Sequence, residues 1–220
     1  IGNSYVFNQP AFEIILQRLP ATLELALAAL VLSVVIGIPL GLFAGLKPQN
    51  PLSRIIMATS ILGFSLPAFW VGLMLIMVFS VMLGWLPSIG RGQTVEILGT
   101  HWSFLTWDGL KHMLLPALNL SFYKISMVLR LTRAGVRETL HTDYIKFARA
   151  KGLSPTRIVG VHVLKNIMIP VVTVIGLGFG GTIAFAVVTE TVFAWPGMGK
   201  LIIDAINVLD QGVLYIPNHP

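Results

Sequence analysis

Four long apolar stretches, separated by short polar segments, constrain the fold of this chain more than any other feature of its sequence. Their approximate bounds are 22–46, 55–86, 110–131 and 167–188. About 20 apolar residues suffice for an α-helix to cross the hydrocarbon core of a bilayer. Charged residues make up only 11% of the chain, whereas a soluble domain carries roughly 25%. The sequence therefore predicts an all-α, polytopic membrane protein with four spans.

The first two spans contain residues that affect how helices pack and bend. Gly37, Gly41 and Gly45 recur every four residues, and such a small-residue stripe allows a neighbouring helix to approach closely. Glu24 is expected in the first turn of the first span, where the helix dipole favours an acid. Pro67 predicts a break in the second span. A broken helix either lines a transport pathway or is a structural kink, so Pro67 is a candidate pathway residue.

Basic residues are concentrated between the third and fourth spans, and they predict the orientation of the chain. Eight of the fifteen Lys and Arg residues lie in 130–166, and loop 47–54 adds two more without any acid. By the positive-inside rule both segments are cytoplasmic, so 87–108 and the region after 189 are external. The same rule explains the net charge of +6, because the excess Lys and Arg lie in cytoplasmic loops next to membrane lipid. No nucleic-acid partner is needed to explain this charge.

A short basic amphipathic segment in the second of these cytoplasmic regions is the largest charged surface offered to a soluble partner. The spacing predicts a docking helix over 143–152, with an apolar face formed by Tyr144, Phe147 and Ala148. The predicted docking residues are Asp143, Tyr144, Ile145, Lys146, Phe147, Ala148, Arg149, Ala150, Lys151, Gly152, Ser154 and Pro155.

The ends of this docking helix have recognisable signals. Thr142 or Asp143 can serve as N-cap, because their side-chain oxygens can accept bonds from the first free backbone N–H groups. Gly152 provides the stop, since glycine adopts the left-handed conformation at low cost. Ser154 is the expected cap of the next helix, with Pro155 at its first position.

The ARAKG sequence, the following Ser-Pro and the apolar helix after it resemble the EAA loop of ABC importer permeases, and the likeness is nearest to the dipeptide, oligopeptide and nickel branch. Ala148 and Gly152 occupy the positions of that family's second Ala and its Gly. Lys146 stands in place of its Glu, and Phe147 in place of its first Ala. The SLPAFW stretch at Pro67 and the segment that follows Glu190 also resemble parts of the peptide branch.

The resemblance implies a type-1 permease domain over 1–210 that lacks the first and last of six spans, followed by an atypical polar tail at 211–220. It implies half of a translocation pathway for di- or oligopeptides in a bacterial inner membrane, with nickel and glutathione left open. The implied partners are cytosolic ABC ATPase subunits, a second permease and a periplasmic or lipid-anchored binding protein. The docking helix would then be the coupling helix of the EAA loop.

No nucleotide site is predicted within the chain itself, so it is expected to bind no cofactor, while ATP and Mg²⁺ are used by the partner ATPase. The chain is accordingly predicted to be a transport subunit and not an enzyme. The alternative is a secondary transporter or channel, a class in which membrane-embedded acids and inverted repeats are expected. The sequence shows no acidic residue in the middle of a span and no visible inverted repeat.

Two ionisable residues are further candidates for the pathway. Lys124 in the third span either faces the pathway or snorkels to the interface. Glu190 either meets the substrate or caps the turn after the fourth span. Gly176, Gly178 and Gly181 formally match GxGxxG, but within an apolar membrane stretch they indicate helix packing. No catalytic residue and no metal ligand is predicted.

Overall fold

The computed structural model describes Ser4 and residues 10–97 and 99–208, which form eight α-helices, two π-helical stretches and one β-hairpin. The helices are α1 (Ala11–Leu46), α2 (Pro51–Ser65), α3 (Ala68–Leu75), α4 (Trp107–Leu140), α5 (Asp143–Ala150), α6 (Pro155–Arg157), α7 (Leu164–Val192) and α8 (Met198–Asn207). The π-helical stretches are Ile76–Met82 after α3 and Ile158–Val163 before α7. Strands β1 (Val95–Ile97) and β2 (Thr100–Trp102) pair antiparallel. The predicted polar tail at 211–220 lies outside the described residues.

The all-α membrane architecture is confirmed. Among the described residues, three helical stretches are long and apolar enough to cross a membrane, namely Ala11–Leu46, Trp107–Leu140 and Pro155–Val192. A fourth span is obtained when the bent pair Pro51–Ser65 and Ala68–Met82 is counted as one.

The second span breaks at the position that the sequence predicts. Leu66 has an extended backbone with φ −92° and ψ 134°, and Pro67 is also extended with φ −63° and ψ 137°. Proline lacks the N–H that a continuous helix needs, and it disfavours the helical conformation of the residue before it. α2 therefore ends at Ser65, and α3 begins at Ala68.

The helices extend beyond the predicted spans. α1 begins at Ala11 instead of Thr22, and α4 continues past the predicted end at 131 to Leu140. Apolarity marks only the part of a helix that lies in hydrocarbon, whereas the backbone hydrogen bonds can continue through polar turns. One consequence is that Glu24 lies well inside α1, so its expected place in the first turn is wrong.

The chain divides into two compact units. The first comprises Ile1–Ala29, Pro67–Leu120 and Gly180–Pro220, and the second comprises Leu30–Leu66 and Ser121–Phe179. In the second unit the glycine stripe of α1 lies directly against α4. A Cβ atom added at Gly37, Gly41 or Gly45 would come within 2.6 to 2.9 Å of an α4 atom. The predicted close approach of a neighbouring helix is thereby confirmed.

The glycines of α7 are also expected to pack against a neighbouring helix. A Cβ atom at Gly176 or Gly181 would meet no described atom within 4 Å, and at Gly178 it would meet only the Lys124 Nζ. Gly176 and Gly181 therefore make no close helix contact within the described part of the chain, whereas Gly178 lies against the Lys124 side chain of α4. The predicted helix packing is not found at Gly176 and Gly181.

Candidate functional site

The docking helix α5 is held by one side. Ile145 is completely buried and Ala148 is nearly so, and both belong to one apolar cluster of the second unit. That cluster also contains Val136 of α4, Val163 of the π-helical stretch and Ile167 of α7. α5 is thus anchored by buried side chains to the end of α4 and to the beginning of α7.

The predicted apolar face of α5 is not the side that the protein buries. Tyr144 is 42% exposed and Phe147 is 61% exposed, whereas the buried side chains are Ile145 and Ala148. Ile145 carries no polar atom and can fill a closed apolar cluster, but a buried tyrosine hydroxyl requires a hydrogen-bond partner. In the structure the Tyr144 hydroxyl lies at the surface and accepts a hydrogen bond from the side-chain amide of Asn166.

The open side of α5 combines aromatic and basic groups. We call it the docking surface; it comprises Asp143, Tyr144, Lys146, Phe147, Arg149, Ala150 and Lys151. The Lys151 ammonium lies 4.5 Å from the centroid of the Phe147 ring. A largely exposed phenylalanine flanked by cations has no partner that would cover it among the described residues, so this surface is chemically suited to bind another protein.

The N-terminal end of α5 differs from prediction in its capping. Thr142 occupies the N-cap position with φ −70° and ψ 151°, but its side chain accepts no capping bond. Its hydroxyl instead donates to the carbonyl oxygen of Thr139 at 2.6 Å. Asp143 is the first helical residue and accepts a 2.8 Å bond from Lys146 at the surface.

The C-terminal end of α5 follows the sequence signals. Gly152 has φ +77°, in the left-handed region that side chains rarely adopt. The Ser154 hydroxyl accepts a 3.4 Å bond from the Arg157 backbone N–H, and Pro155 occupies the first turn of α6. The predicted stop and the predicted cap with its proline are both confirmed.

The candidate pathway residues have separate surroundings. Lys124 belongs to the second unit, whereas Pro67 and Glu190 belong to the first. The Lys124 Nζ donates a 2.9 Å hydrogen bond to the carbonyl oxygen of Gly178. This bond holds the ammonium against α7, an arrangement that differs from snorkelling to the interface. Pro67 occupies the N-cap position of α3 and makes no side-chain capping bond there.

Glu190 is completely buried and connects three segments of the first unit. Its Oε1 accepts a 2.6 Å bond from the Thr22 hydroxyl, and its Oε2 accepts a 3.0 Å bond from the Lys200 backbone N–H. The Thr22 oxygen in turn accepts a 2.8 Å bond from the Met198 backbone N–H. Because the first turn of a helix has free N–H groups and favours negative charge, this geometry is that of a cap on α8.

Sequence reasoning missed the partner of Glu24. The Glu24 Oε1 accepts bonds of 2.6 and 2.7 Å from the backbone N–H groups of Ser103 and Phe104. Its Oε2 forms a 2.7 Å ion pair with Arg91, which also donates to the Ser103 hydroxyl at 2.9 Å. We call these four residues the Glu24 clamp. The available signal was an acid within an otherwise uncharged apolar stretch, which requires a partner when buried.

The comparisons with known proteins agree with this architecture. Residues 37–215 match the family described as "Binding-protein-dependent transport system inner membrane component". The chain belongs to this family, and it is a permease subunit of an ABC importer, as the EAA resemblance predicts. The family match and the named relatives support this class and not a secondary transporter or channel.

Three relatives are named for peptide transport. A "Di/tripeptide transport system permease protein DppB" of Pseudomonas aeruginosa is 40% identical over 98% of this chain and 69% of its own length. A "Dipeptide transport system permease protein DppB" of Escherichia coli is 37% identical over 97% of this chain and 68% of its own length. An "Oligopeptide transport system permease protein AppB" of Bacillus subtilis is 40% identical over 93% of this chain and 63% of its own length.

A solved structure shows the same fold. The chain resembles a protein in inward-facing conformations of the MetNI methionine ABC transporter with a TM-score of 0.69. The match covers 90% of this chain and 83% of that protein at 18% identity. The family description names an inner-membrane component, and membership in the family implies a cytosolic ATPase and a substrate-binding protein as partners.

Proposed function

We propose that this chain forms half of the translocation pathway of an importer for di- or oligopeptides and couples it to a cytosolic ATPase through α5. The observation that carries the proposal is the two-sided character of α5. Ile145 and Ala148 anchor the helix in the second unit, while Phe147 and the cations around it stay open. A coupling element needs both properties, because it must bind a partner and also transmit that partner's movement.

The apolar cluster supplies the mechanical connection. α5 contacts the end of α4 through Val136 and the segment before α7 through Val163. Protein interiors are close-packed and yield little to compression, so a displacement of α5 is passed to both long helices. In this mechanism the partner ATPase binds and hydrolyses ATP with Mg²⁺, and this chain contributes no nucleotide site of its own.

The peptide cargo is inferred from the relatives. Their names cover dipeptide, di/tripeptide and oligopeptide transport, and another relative is a glutathione transport permease of Escherichia coli at 37% identity. Glutathione is itself a small peptide, so these cargoes share one chemical class. Di- and oligopeptides are therefore proposed, and glutathione is included as a member of the same class.

The division into units supports the proposed orientation. The segments 47–54 and 130–166 both belong to the second unit, and we assign them to the cytoplasm. The loop 87–108 and the region after 189 both belong to the first unit, and we assign them to the external side. The positive-inside rule makes the same assignment from charge alone.

The uncovered face of α7 supports a second permease as a partner. Leu177 is 81% exposed and Phe185 is 75% exposed, and a Cβ atom at Gly180 or Gly181 between them would meet no described atom within 4 Å. Small residues on a membrane helix permit close contact with another helix. A second permease packed on α7 would complete the pathway, and a binding protein would deliver peptide from the external side.

Site-directed crosslinking tests the proposal. The chain contains no cysteine, so Lys146→Cys on the docking surface introduces a single thiol. With a photoreactive maleimide attached to that thiol, we expect illumination to give a covalent adduct with the ATPase subunit in membranes from cells that take up peptide. Glu96→Cys on the exposed strand β1 is the matched control, and it should yield no ATPase adduct. A thiol at position 146 that reacts with a cytosolic reagent but never with the ATPase would contradict the coupling role.

A further inference from the structure

A groove lined by arginines lies at the polar end of α2 and α4 in the second unit. One cavity of about 590 Å³ is lined in part by Arg130, Arg133, Arg137 and His141. A second cavity of about 420 Å³ shares Arg130 and Arg133 with the first and adds Arg54. We call the two together the arginine groove. The volume of each cavity is in the range of roughly 300–1,000 Å³ that is usual for sites of small organic ligands, which is more than a bare ion requires.

The charges of the groove are not compensated by the described part of the chain. The ion pairs among the described residues involve Glu24, Asp108, Asp143 and Asp204, and none of these acids pairs with an arginine of the groove. The Arg133 Nε is buried and has no hydrogen-bond partner there. Arginine stays protonated, and a buried donor without a partner is costly. The groove therefore favours an anionic ligand that accepts several hydrogen bonds.

The arrangement of the arginines fits a phosphate group. Arg130, Arg133 and Arg137 follow each other at three- and four-residue spacing, so they share one face of α4. Planar guanidinium groups match phosphate oxygens in geometry and can donate two bonds to the same group. Arg130 is also positioned by the Phe64 ring, whose centroid lies 5.1 Å from its guanidinium carbon.

The apolar surroundings decide between a lipid and a soluble phosphate compound. Ile61 lines the second cavity and is 58% exposed, and the neighbouring Leu62 is 47% exposed. Both residues belong to the second membrane span, so an acyl chain attached to a bound phosphate can lie along them, whereas a soluble phosphate uses none of this apolar surface. Basic pockets between membrane helices on the cytoplasmic side are suited to anionic lipid headgroups.

We propose that the arginine groove binds the headgroup of an anionic phospholipid. The phosphate lies against Arg130, Arg133 and Arg137, and an acyl chain follows the exposed apolar side of α2. The general attraction of basic loops to a membrane requires neither a cavity nor a buried donor, and both are present in this groove.

Lipid binding to the assembled, delipidated importer in detergent tests the proposal by native mass spectrometry. Phosphatidylglycerol and phosphatidylcholine with identical acyl chains are the probes. We expect at least one site that prefers phosphatidylglycerol by about tenfold or more, since each basic residue near an anionic lipid contributes about 1 kcal/mol. Arg133→Gln should weaken that site about fivefold. Arg157→Gln, an exposed arginine outside the groove, removes the same charge and should leave the site unchanged.

Three results would overturn the assignment. Equal binding of both lipids would show that no anionic site exists. An equal loss in Arg133→Gln and Arg157→Gln would show that only net charge matters. Displacement of phosphatidylglycerol by inorganic phosphate would assign the groove to a soluble phosphate compound. If Arg133→Gln does not assemble, the proposal can still be tested on the wild-type importer. Phosphatidylglycerol should raise its melting temperature and phosphatidylcholine should not.

Discussion

Removal of the charge on Glu24 should release the loop segment between the π-helical stretch Ile76–Met82 and α4. The substitution Glu24→Gln keeps the shape of the side chain but turns one carboxylate oxygen into an amide donor. That donor faces either the Arg91 guanidinium or the N–H groups of Ser103 and Phe104, all of which are donors themselves. The substitution therefore loses an ion pair and leaves at least one buried donor without an acceptor.

The structure sets the size of this effect. Breaking one partner of a buried ion pair costs about 3–5 kcal/mol. The Arg91 side chain is 13% exposed and keeps its bonds to the Ser103 hydroxyl and the His101 carbonyl oxygen, so the lower end of that range applies. At about 1.36 kcal/mol per factor of ten, a loss of about 3 kcal/mol increases the open population of the loop roughly a hundredfold.

Hydrogen exchange measures this opening directly, because two of the lost bonds are made by backbone N–H groups. We expect the amides of Ser103 and Phe104 to exchange about a hundredfold faster in Glu24→Gln than in wild type. Glu96→Gln makes the same chemical change at an exposed position of β1, and it should leave both rates unaltered. An increase of less than about threefold in Glu24→Gln would refute the reasoning, because the clamp would then not hold the loop closed.

Three further predictions, made with five substitutions, separate packing from docking. Gly41→Ala should destabilise the chain by about 1–3 kcal/mol, because its Cβ would lie 2.6 Å from the Leu129 carbonyl oxygen. Gly176→Ala is the control: its Cβ would meet no described atom within 4 Å, so the melting temperature in detergent should not fall. Gly152→Val should reduce peptide uptake while membrane insertion stays normal, because a residue with a side chain adopts φ +77° only at a cost of about 1–2 kcal/mol. Unimpaired uptake would show that this turn has no part in the coupling mechanism. Phe147→Ala should weaken co-purification with the ATPase and leave the melting temperature unchanged, because Phe147 is exposed. Ile145→Ala should lower the melting temperature, because the loss of this buried side chain costs about 2–5 kcal/mol of stability. The reverse pattern would place the docking face on the other side of α5.

Local rules allowed much of this fold to be predicted from the sequence. The apolar stretches, the Pro67 break and the left-handed Gly152 each depend on a few neighbouring residues. The stripe from Gly37 to Gly45 also has a local period, so it indicated a close helix contact although it did not identify α4 as the partner. These features were predictable because the bilayer and the backbone impose them on any sequence of this kind.

Other features could not be predicted because tertiary structure chooses between equal local patterns. On α5, Tyr144 with Phe147 and Ile145 with Ala148 both have helical spacing. Only the surrounding apolar cluster decides that Ile145 and Ala148 are the buried pair. The bond from Thr22 to Glu190 joins residues 168 positions apart. No period in the sequence connects such residues, so the structural surroundings of Glu190 emerged only from the fold.

The hydrogen bonds of α1 also impose an order of events during biosynthesis. Glu24 enters the membrane 67 residues before Arg91 is made, and Thr22 precedes Glu190 by 168 residues. At translation rates of about 5–20 residues per second, Glu24 waits roughly 3–13 s for its partner and Thr22 roughly 8–34 s. During these intervals water or the insertion machinery must solvate the Glu24 carboxylate. The loop segment between the π-helical stretch Ile76–Met82 and α4 can therefore dock on α1 first, and the segment that leads into α8 closes the first unit afterwards.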